Sequence, residues 1–471
     1  MLIGQVMPLS TSRRWYFARE RKNTRRYAYL SACRIYTVGF HNNDPLDPYD
    51  QMLGVSWVAS VALLLSAVWY GANAQGTMEQ QVRVEQLALT DPVKAAQEVL
   101  KFHGIFSPNL ALWAVFNNIS GHGDEQVPWG RGAFYRWDPW TIGGTDTGYF
   151  WLPREFNMFK LNRTFVIACK DGKVAKSPFY VNKKYDPKKI ERAVIFWPGK
   201  WRDSWRYANY VGNAYHVAQK YPELDVNSDN VLIILPAFMN EKDESRHALH
   251  DDEISFHGTG WSVGGTVRQP SEFKHLSSFD VVDKYIDMLM DKNQFPNLKK
   301  IVVGGHSMGA QASLRYAFLR DKPEQDHAVK FWIGNPGAYV WLNDKRPFST
   351  KKCRNYNSWP YGISDPKTIP TYARHRAGKN GSKLVENFLK HRVHFAISQD
   401  DNGQGVSNCA GSAQGPTRIC RAAEWIVQHG NTTEYEWPDT HTVNFLPGVS
   451  HQDYPTLAYY GTIKFLFSPC H

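Results

Sequence analysis

Apolar residues along the middle of the chain follow two spacings that alternate with each other. Some runs are apolar throughout, which is typical of strands buried on both faces, and others place apolar residues every third or fourth position, which is typical of amphipathic helices. From residue 192 onward this predicts a strand at 192–199 that ends in Pro-Gly, a helix at 204–221, a strand at 230–238, a helix at 277–292, a strand at 299–305, a helix at 309–320 and a strand at 328–336. Such an alternation indicates a parallel sheet covered on both faces.

The predicted sheet also has an antiparallel beginning and a late insertion. Residues 164–181 predict a β-hairpin around an Asp-Gly turn. Another strand is predicted at 391–398 and a terminal helix at 455–467. An antiparallel start that leads into a parallel sheet is the order of the α/β-hydrolase fold, in which the segment rich in Pro, Gly and aromatic residues at 343–388 is expected to form a cap.

The amino-terminal region predicts export from the cytosol. No residue between Asp50 and Glu79 is charged, and the apolar stretch inside that interval is close to the length of a bilayer-spanning helix. Either Met52 begins a signal peptide that is cleaved after the small residues ending at Ala74, or the stretch is a signal anchor with the preceding Arg-rich residues in the cytosol. Both interpretations leave residues 75–471 outside the cytosol, secreted or tethered to a membrane only by that anchor.

These features divide the chain into four parts. We expect a basic, disordered extension at 1–51, a signal peptide or signal anchor at 52–75, a helical segment at 76–125, and an α/β-hydrolase domain at 126–471 that includes the cap.

Asparagine and cysteine positions agree with an extracytosolic domain. The sequons of the Asn-x-Ser/Thr type all follow the apolar stretch, at Asn118, Asn162, Asn380 and Asn431. We expect Cys409 and Cys420 to form a disulfide around a short polar loop, contributing about 3 kcal/mol by the loop-entropy argument. Cys169 lies in an apolar run, where a buried free thiol and a bridge are both open.

The net charge of +11 does not indicate any further function. Residues 1–51 contain eight Lys or Arg and four acidic residues, so part of the excess lies in the extension. No basic helix, zinc-ligand spacing or aromatic-basic strand pattern accompanies the charge, so nucleic-acid binding is not expected. The acidic run from His250 to Glu253 predicts a solvated loop in preference to a metal site.

Two segments match the Gly-x-Ser-x-Gly pattern of a nucleophile elbow, one centred on Ser262 and the other on Ser307. Ser307 follows a predicted buried strand and precedes a predicted helix, which is the context that the elbow requires. Ser262 follows a short polar segment and precedes no helix, so we expect it in a glycine-rich loop. Ser307 is therefore the predicted nucleophile.

A serine is a poor nucleophile at neutral pH unless a histidine takes its proton and a carboxylate orients that histidine. In this fold the acid follows a late strand and the histidine lies near the carboxyl terminus. A last strand is predicted at the start of the segment TVNFLPGVSH; His451 follows this strand and precedes the last helix, whereas His441 falls inside the strand. The acid should follow the strand at 391–398, where Asp400 and Asp401 are adjacent and position alone does not choose between them.

Backbone N–H groups are expected to bind the oxyanion that forms during acyl transfer. One is the N–H of Met308, at the start of the helix after the elbow, and the other is that of Lys200, with Trp201 as the alternative. The side chains of Trp261 and His306 are predicted to contact substrate, Trp261 as a wall of the pocket. This chemistry requires no metal and no cofactor.

Several longer motifs together resemble a set of secreted or exported α/β hydrolases found in bacteria and fungi. The matching pieces are PGKWRDSWRYA, GWSVGG with SSFDVVD, GGHSMGAQ, GNPGAY, and QDDNGQGVSNCAGSAQGPTRICRA ahead of LPGVSH. In that family the acid follows a Gly-Glu-x-Asp pattern, so the resemblance implies Asp401, with Asp400 still open because Ser398 and Gln399 stand where Gly and Glu are usual. The resemblance implies a serine hydrolase and leaves its substrate undefined.

The main hypothesis is therefore a secreted or membrane-anchored carboxylic ester hydrolase that forms an acyl-enzyme on Ser307 with a small-molecule ester. A peptidase or amidase of the same fold is one alternative, because the triad chemistry does not distinguish esters from amides. The other alternative, of a different class, is a hydrolase-fold binding domain that has lost catalysis.

Overall fold

The computed structural model describes residues 77–103, 143–144, 147–378, 381–430 and 436–469. The predicted extension and the predicted signal peptide or anchor lie outside these residues, as do the sequons at Asn118, Asn380 and Asn431. Asn162 is described, and its side-chain oxygen accepts hydrogen bonds from the backbone and hydroxyl of Thr164. Within the described ranges, no helix is both long enough and apolar enough to cross a membrane.

The described residues form sixteen short or medium strands. They are β1 (Gly143–Gly144), β2 (Gly148–Tyr149), β3 (Glu155–Phe156), β4 (Phe159–Asn162), β5 (Val166–Lys170), β6 (Lys173–Lys176), β7 (Phe179–Asn182), β8 (Arg192–Trp197), β9 (Val231–Pro236), β10 (Met239–Asn240), β11 (Ser255–Phe256), β12 (Val267–Gln269), β13 (Lys300–His306), β14 (Val329–Gly334), β15 (Arg392–Ser398) and β16 (His441–Leu446).

The α-helices of the same part of the chain are α1 (Met78–Ala88), α2 (Pro92–His103), α3 (Ser204–Ala218), α4 (Glu241–Ser245), α5 (Ser278–Met290), α6 (Met308–Leu319), α7 (Pro323–Asp326), α8 (Thr371–Arg374), α9 (Ser382–Phe388), α10 (Cys409–Gln414), α11 (Arg418–Gly430), α12 (Asp453–Ala458) and α13 (Tyr460–Phe467). Side-chain caps begin several of them. Ser277, for example, accepts from the backbone of Asp280, whose carboxylate accepts from the backbone of Ser277, which is a capping box.

Nine strands form the main sheet in the order β16-β15-β14-β13-β8-β9-β7-β4-β3. The six strands from β16 to β9 are parallel, and β7, β4 and β3 continue the sheet antiparallel. Adjacent residues of the central strand β13 bury opposite faces, since Val303 packs with α5 and α6 while Val302 packs with α3 and α12. This topology is the α/β-hydrolase fold, so the predicted fold class is confirmed.

Three details of the predicted elements differ from the structure. The hairpin around the Asp-Gly turn is present as β5 and β6, but it forms a separate two-stranded sheet, and only β7 of the predicted segment joins the main sheet. The predicted terminal helix is divided into α12 and α13 because Tyr459 is extended, with φ −59° and ψ 139°. The helix α11 was not predicted.

The segment at 343–388, predicted as a cap, lies between β14 and β15 and contains the short helices α8 and α9. Its side chains make several hydrogen bonds to the rest of the domain. Trp359 donates its ring N–H to the carbonyl oxygen of Val263 at 2.8 Å, and the hydroxyl of Tyr372 lies 3.0 Å from Oδ2 of Asp283 on α5.

The predicted disulfide between Cys409 and Cys420 is wrong. Cys409 is bonded to Cys353, so the bridge ties the 343–388 segment to α10. Cys420 lies on the inner face of α11 as a buried free thiol, and burial raises its pKa to about 12. Cys169 is a free thiol as well, but it is exposed, contrary to the expected burial.

Candidate active site

Ser307 occupies a sharp turn between β13 and α6. Its backbone angles, φ 58° and ψ −118°, are unfavourable for a residue with a side chain, which is the strain typical of a nucleophile elbow. A Cβ on Gly305 would lie 2.3 Å from backbone atoms of Gly309, and a Cβ on Gly309 would lie 2.7 Å from the carbonyl oxygens of Trp197 and Pro198. Both glycines are therefore required by close backbone approach.

The structure brings Ser307, His451 and Asp401 into one chain of hydrogen bonds. His451 Nε2 lies 2.8 Å from Ser307 Oγ, and His451 Nδ1 lies 2.7 Å from Asp401 Oδ2. Because a carboxylate can only accept, the ring proton is on Nδ1 and Nε2 is left to accept the serine proton. The three side chains come from the carboxyl ends of β13, β15 and β16, which meet at one edge of the sheet.

The two adjacent aspartates point to different partners. Asp401 is buried and also accepts a hydrogen bond from Arg418 Nη1 at 2.9 Å. Burial raises the pKa of Asp401, but electrostatic interactions and hydrogen bonds with His451 and Arg418 outweigh burial and hold the pKa below its ordinary value. Asp400 instead accepts from Gln81 Nε2 at 2.7 Å, and burial raises its pKa to about 6. Of the two carboxylates between which the sequence did not choose, Asp401 is the one that lies beside His451.

The environment of His451 keeps its ring neutral. Burial lowers the pKa of His451, and repulsion by Arg418 lowers it further, while Asp401 acts in the opposite direction. The net pKa lies below the ordinary value of a histidine. The unprotonated imidazole needed to accept a proton is therefore the dominant form at neutral pH.

The two backbone segments predicted to supply oxyanion donors are the turn after β8 and the start of α6, and they approach each other beside the elbow. Met308 is the first residue of α6, so its N–H has no acceptor one turn earlier in the helix. The turn that contains Lys200 is closed by a hydrogen bond from the Arg202 N–H to the Gly199 carbonyl. This turn directly follows Pro198, whose carbonyl approaches Gly309 on the elbow helix. The predicted oxyanion donors thus belong to neighbouring segments.

His306 was predicted to bind substrate, and the structure corrects this. The side chain is fully buried, with Nδ1 2.7 Å from Asp453 Oδ1 and Nε2 3.1 Å from the side-chain amide of Asn335. Tyr207 donates its hydroxyl proton to the same Asp453 carboxylate. The ring of His306 packs against the ring of His451, with 4.8 Å between the two centroids, and supports it from the buried side.

Trp261 was predicted to be a wall of the substrate pocket, and this too is corrected. Its ring is fully buried and packs against both Trp197 and Phe238, so it belongs to the hydrophobic core. Ser262 lies in a 3-10 turn and donates its hydroxyl proton to the Thr259 carbonyl. The second Gly-x-Ser-x-Gly match therefore lies in a loop, as expected. Among the described residues, no hydrogen bond joins the Ser262 hydroxyl to a histidine.

Other residues near the site were given no role by the sequence. Arg418 and Gln81 contact Asp401 and Asp400 across 17 and 319 residues of chain, a separation at which no local spacing is informative. The one sequence signal that could have pointed to Asp453 is its position two residues after His451. In the run from His250 to Glu253, Glu253 is buried and paired with Arg163, so the loop is not wholly solvated.

Comparison with known proteins gives a likeness at the level of fold. No protein-family model and no curated protein matches the chain. Poly(3-hydroxybutyrate) depolymerase from Bordetella parapertussis is 15% identical, with a TM-score of 0.40 over 63% of this chain and 85% of that chain. Poly(aspartic acid) hydrolase-1 from Sphingomonas sp. KT-1 is 14% identical, with a TM-score of 0.42 over 66% and 98%. A siderophore hydrolase from Aspergillus nidulans is 10% identical, with a TM-score of 0.36 over 66% and 96%.

Strand order and the strained turn at Ser307 define this chain as a protein of the α/β-hydrolase fold. At such low identities the likeness to these three enzymes extends no further than the fold.

Proposed function

We propose that this protein is a serine hydrolase that cleaves carboxylic esters through an acyl-enzyme. The observation that carries the proposal is the pair of contacts made by His451, 2.8 Å to Ser307 Oγ and 2.7 Å to Asp401. A histidine held in this way can take the serine proton during attack and then give it to the leaving group.

In the first half of the reaction, Ser307 Oγ attacks the ester carbonyl carbon while its proton moves to His451 Nε2. The carbonyl oxygen becomes an oxyanion, which the N–H groups of Met308 and Lys200 stabilise. The tetrahedral intermediate then collapses, the alcohol leaves with the proton from His451, and the acyl group stays on Ser307. Asp401 stabilises the imidazolium while it exists.

In the second half, water replaces the alcohol. His451 takes a proton from water as its oxygen attacks the acyl carbon, and returns that proton to Ser307 Oγ when the acyl–oxygen bond breaks. The products are a carboxylic acid and the original enzyme, so the cycle is balanced without a cofactor.

A matched panel of esters and amides tests the substrate class. We expect the purified protein to hydrolyse small activated esters and to cleave anilides with the same acyl groups much more slowly. Equal or faster cleavage of anilides and peptides would identify a peptidase or amidase. Failure to turn over any substrate, together with failure to react with a fluorophosphonate, would indicate a binding domain without catalysis.

Replacing Arg418 with Gln should move the acidic limb of the kcat/KM profile to higher pH by about one unit. Arg418 disfavours protonation of His451, so its loss raises the His451 pKa. Because only the neutral imidazole accepts the serine proton, activity is lost as pH falls through that pKa, and the loss then begins at higher pH. The profile is measured with a substrate that has no ionisable group.

Arg154→Gln removes the same charge from an exposed position and serves as the control for the Arg418 variant. Its profile should match that of the wild type. An acidic limb that stays in place, or moves to lower pH, in the Arg418 variant would contradict the assigned influence of Arg418 on His451.

We also propose that the domain works outside the cytosol, either secreted or attached by an amino-terminal anchor. The Cys353–Cys409 disulfide supports this location because such bonds persist mainly in oxidising compartments. Amino-terminal sequencing of the exported protein tests the two forms, since a chain that begins at Gln75 indicates cleavage and an intact leader indicates an anchor.

A further inference from the structure

A single glutamine on the first helix contacts both loops that carry the proposed acid and base. Gln81, on α1, is 3% exposed. Its Nε2 donates to Asp400 Oδ1 at 2.7 Å, and its Oε1 accepts from the Gly448 N–H at 2.7 Å. Its backbone carbonyl accepts from Gln399 Nε2, also at 2.7 Å. No other part of the proposed mechanism uses these groups.

The residues that Gln81 contacts are close in sequence to Asp401 and His451. Gln399 and Asp400 immediately precede Asp401 after β15, and Gly448 lies three residues before His451 after β16. The same two loops are joined to each other by a hydrogen bond from the Asp400 N–H to the Val449 carbonyl. Gln81 therefore bridges the two loops whose relative placement sets the distance between Asp401 and His451.

The orientation of the Gln81 amide is fixed by its partners. The Gly448 N–H can only donate, so the amide oxygen must face Gly448 and the amide nitrogen must face Asp400. Nearly complete burial makes each of these hydrogen bonds costly to lose.

The helix that carries Gln81 is itself held firmly. Thr77 and Gln80 form a capping box at its start, and Val84 and Ala88 are buried in the main hydrophobic core. Gln81 is thus presented from a capped helix whose inner face is part of the domain.

We propose that Gln81 is a positioning residue that holds the acid and base loops in register, so that the amino-terminal helix α1 is a working part of the active site. The inference rests on the proposed hydrolase function. Gln81 would affect the rate through geometry, because a loop displacement of about 1 Å at a catalytic group is enough to lower a rate on the order of 100-fold.

An exchange of the two partners tests this directly. In Gln81→Glu a carboxylate replaces the donor that faces Asp400, so the two carboxylates repel each other in mildly alkaline buffer. In Asp400→Asn the new side chain still offers an oxygen to Gln81. In the double variant, the new amide at position 400 donates to the new carboxylate at position 81, which still accepts from the Gly448 N–H. The bridge is then restored with its polarity reversed.

We expect Gln81→Glu to lower kcat by about 100-fold with little change in KM, because the substrate pocket is untouched and only the alignment of the reacting groups is lost. Asp400→Asn should keep nearly full activity. The double variant should return to within about twofold of Asp400→Asn, because residues in one hydrogen-bond network couple and the second change restores the pair. Gln81→Met, which fills the same space without hydrogen bonds, should fall between the wild type and Gln81→Glu.

Arg83→Ala, at an exposed position on the same helix, is the matched control and should behave as the wild type. Melting temperatures and circular dichroism identify any variant that is not folded. The downfield proton resonance of the His451–Asp401 hydrogen bond should broaden or vanish in Gln81→Glu and return in the double variant. This signal does not require turnover, so it separates failure of this inference from failure of the proposed hydrolase function.

The inference is overturned if folded Gln81→Glu and Gln81→Met keep wild-type kcat and the wild-type proton signal. It is also overturned if Asp400→Asn fails to repair Gln81→Glu, or if the loss of activity only parallels a loss of folded protein.

Discussion

Ser307→Ala should abolish ester hydrolysis, with kcat falling on the order of 10⁶-fold, and should prevent labelling by a fluorophosphonate. The variant removes the oxygen that lies 2.8 Å from His451 Nε2, so no acyl-enzyme can form. The stability of the fold should be unchanged or slightly higher, because alanine at this position keeps the backbone turn and removes only the hydroxyl. Labelling and turnover are measured on the same preparation, and the melting temperature confirms that the protein is folded.

Ser262→Ala is the matched control, since Ser262 has the same flanking pattern of glycines. Its hydroxyl donates to the Thr259 carbonyl in the same loop, so activity and labelling should stay close to those of the wild type. If fluorophosphonate labelling survives Ser307→Ala, or disappears in Ser262→Ala, the assignment of the nucleophile is wrong.

The fold and the position of Ser307 were predictable because both depend on short-range patterns. A buried strand needs an apolar run, and a strand-to-helix elbow needs glycines within two residues of its serine, as the close approach of Gly305 to Gly309 shows. Such requirements are visible in any window of the sequence.

Side-chain directions between distant segments were not predictable in this way. Two adjacent aspartates point to different partners, Asp401 to His451 and Asp400 to Gln81, because the loop after β15 turns between them. Trp261 is indistinguishable in sequence from a pocket residue, yet it faces inward onto Trp197. The partner of Cys409 comes from the 343–388 segment, whose folding no periodicity describes.

Asp401→Asn should lower kcat on the order of 10⁴-fold while leaving Ser307 in place. Arg418 donates to the other oxygen at this position, so the asparagine oxygen faces Arg418 and the amide nitrogen faces His451 Nδ1 and donates to it. The ring proton then moves to Nε2, and the ring can no longer accept the serine proton. The variant also removes the negative charge that favours imidazolium in the transition state. The rate is measured at saturating substrate, together with the melting temperature, because Arg418 loses its counter-charge.

Asp400→Asn is the neighbouring control and should have only a minor effect, since the new side-chain oxygen still accepts from Gln81. The pair of variants separates the roles of two carboxylates that differ by one position. A large loss in Asp400→Asn with near-normal activity in Asp401→Asn would reverse the assignment and would require the loop after β15 to present its other carboxylate to His451. Equal losses would mean that the reaction needs the charge of the Asp400 carboxylate as well as that of Asp401, because the asparagine at position 400 keeps the hydrogen bond from Gln81.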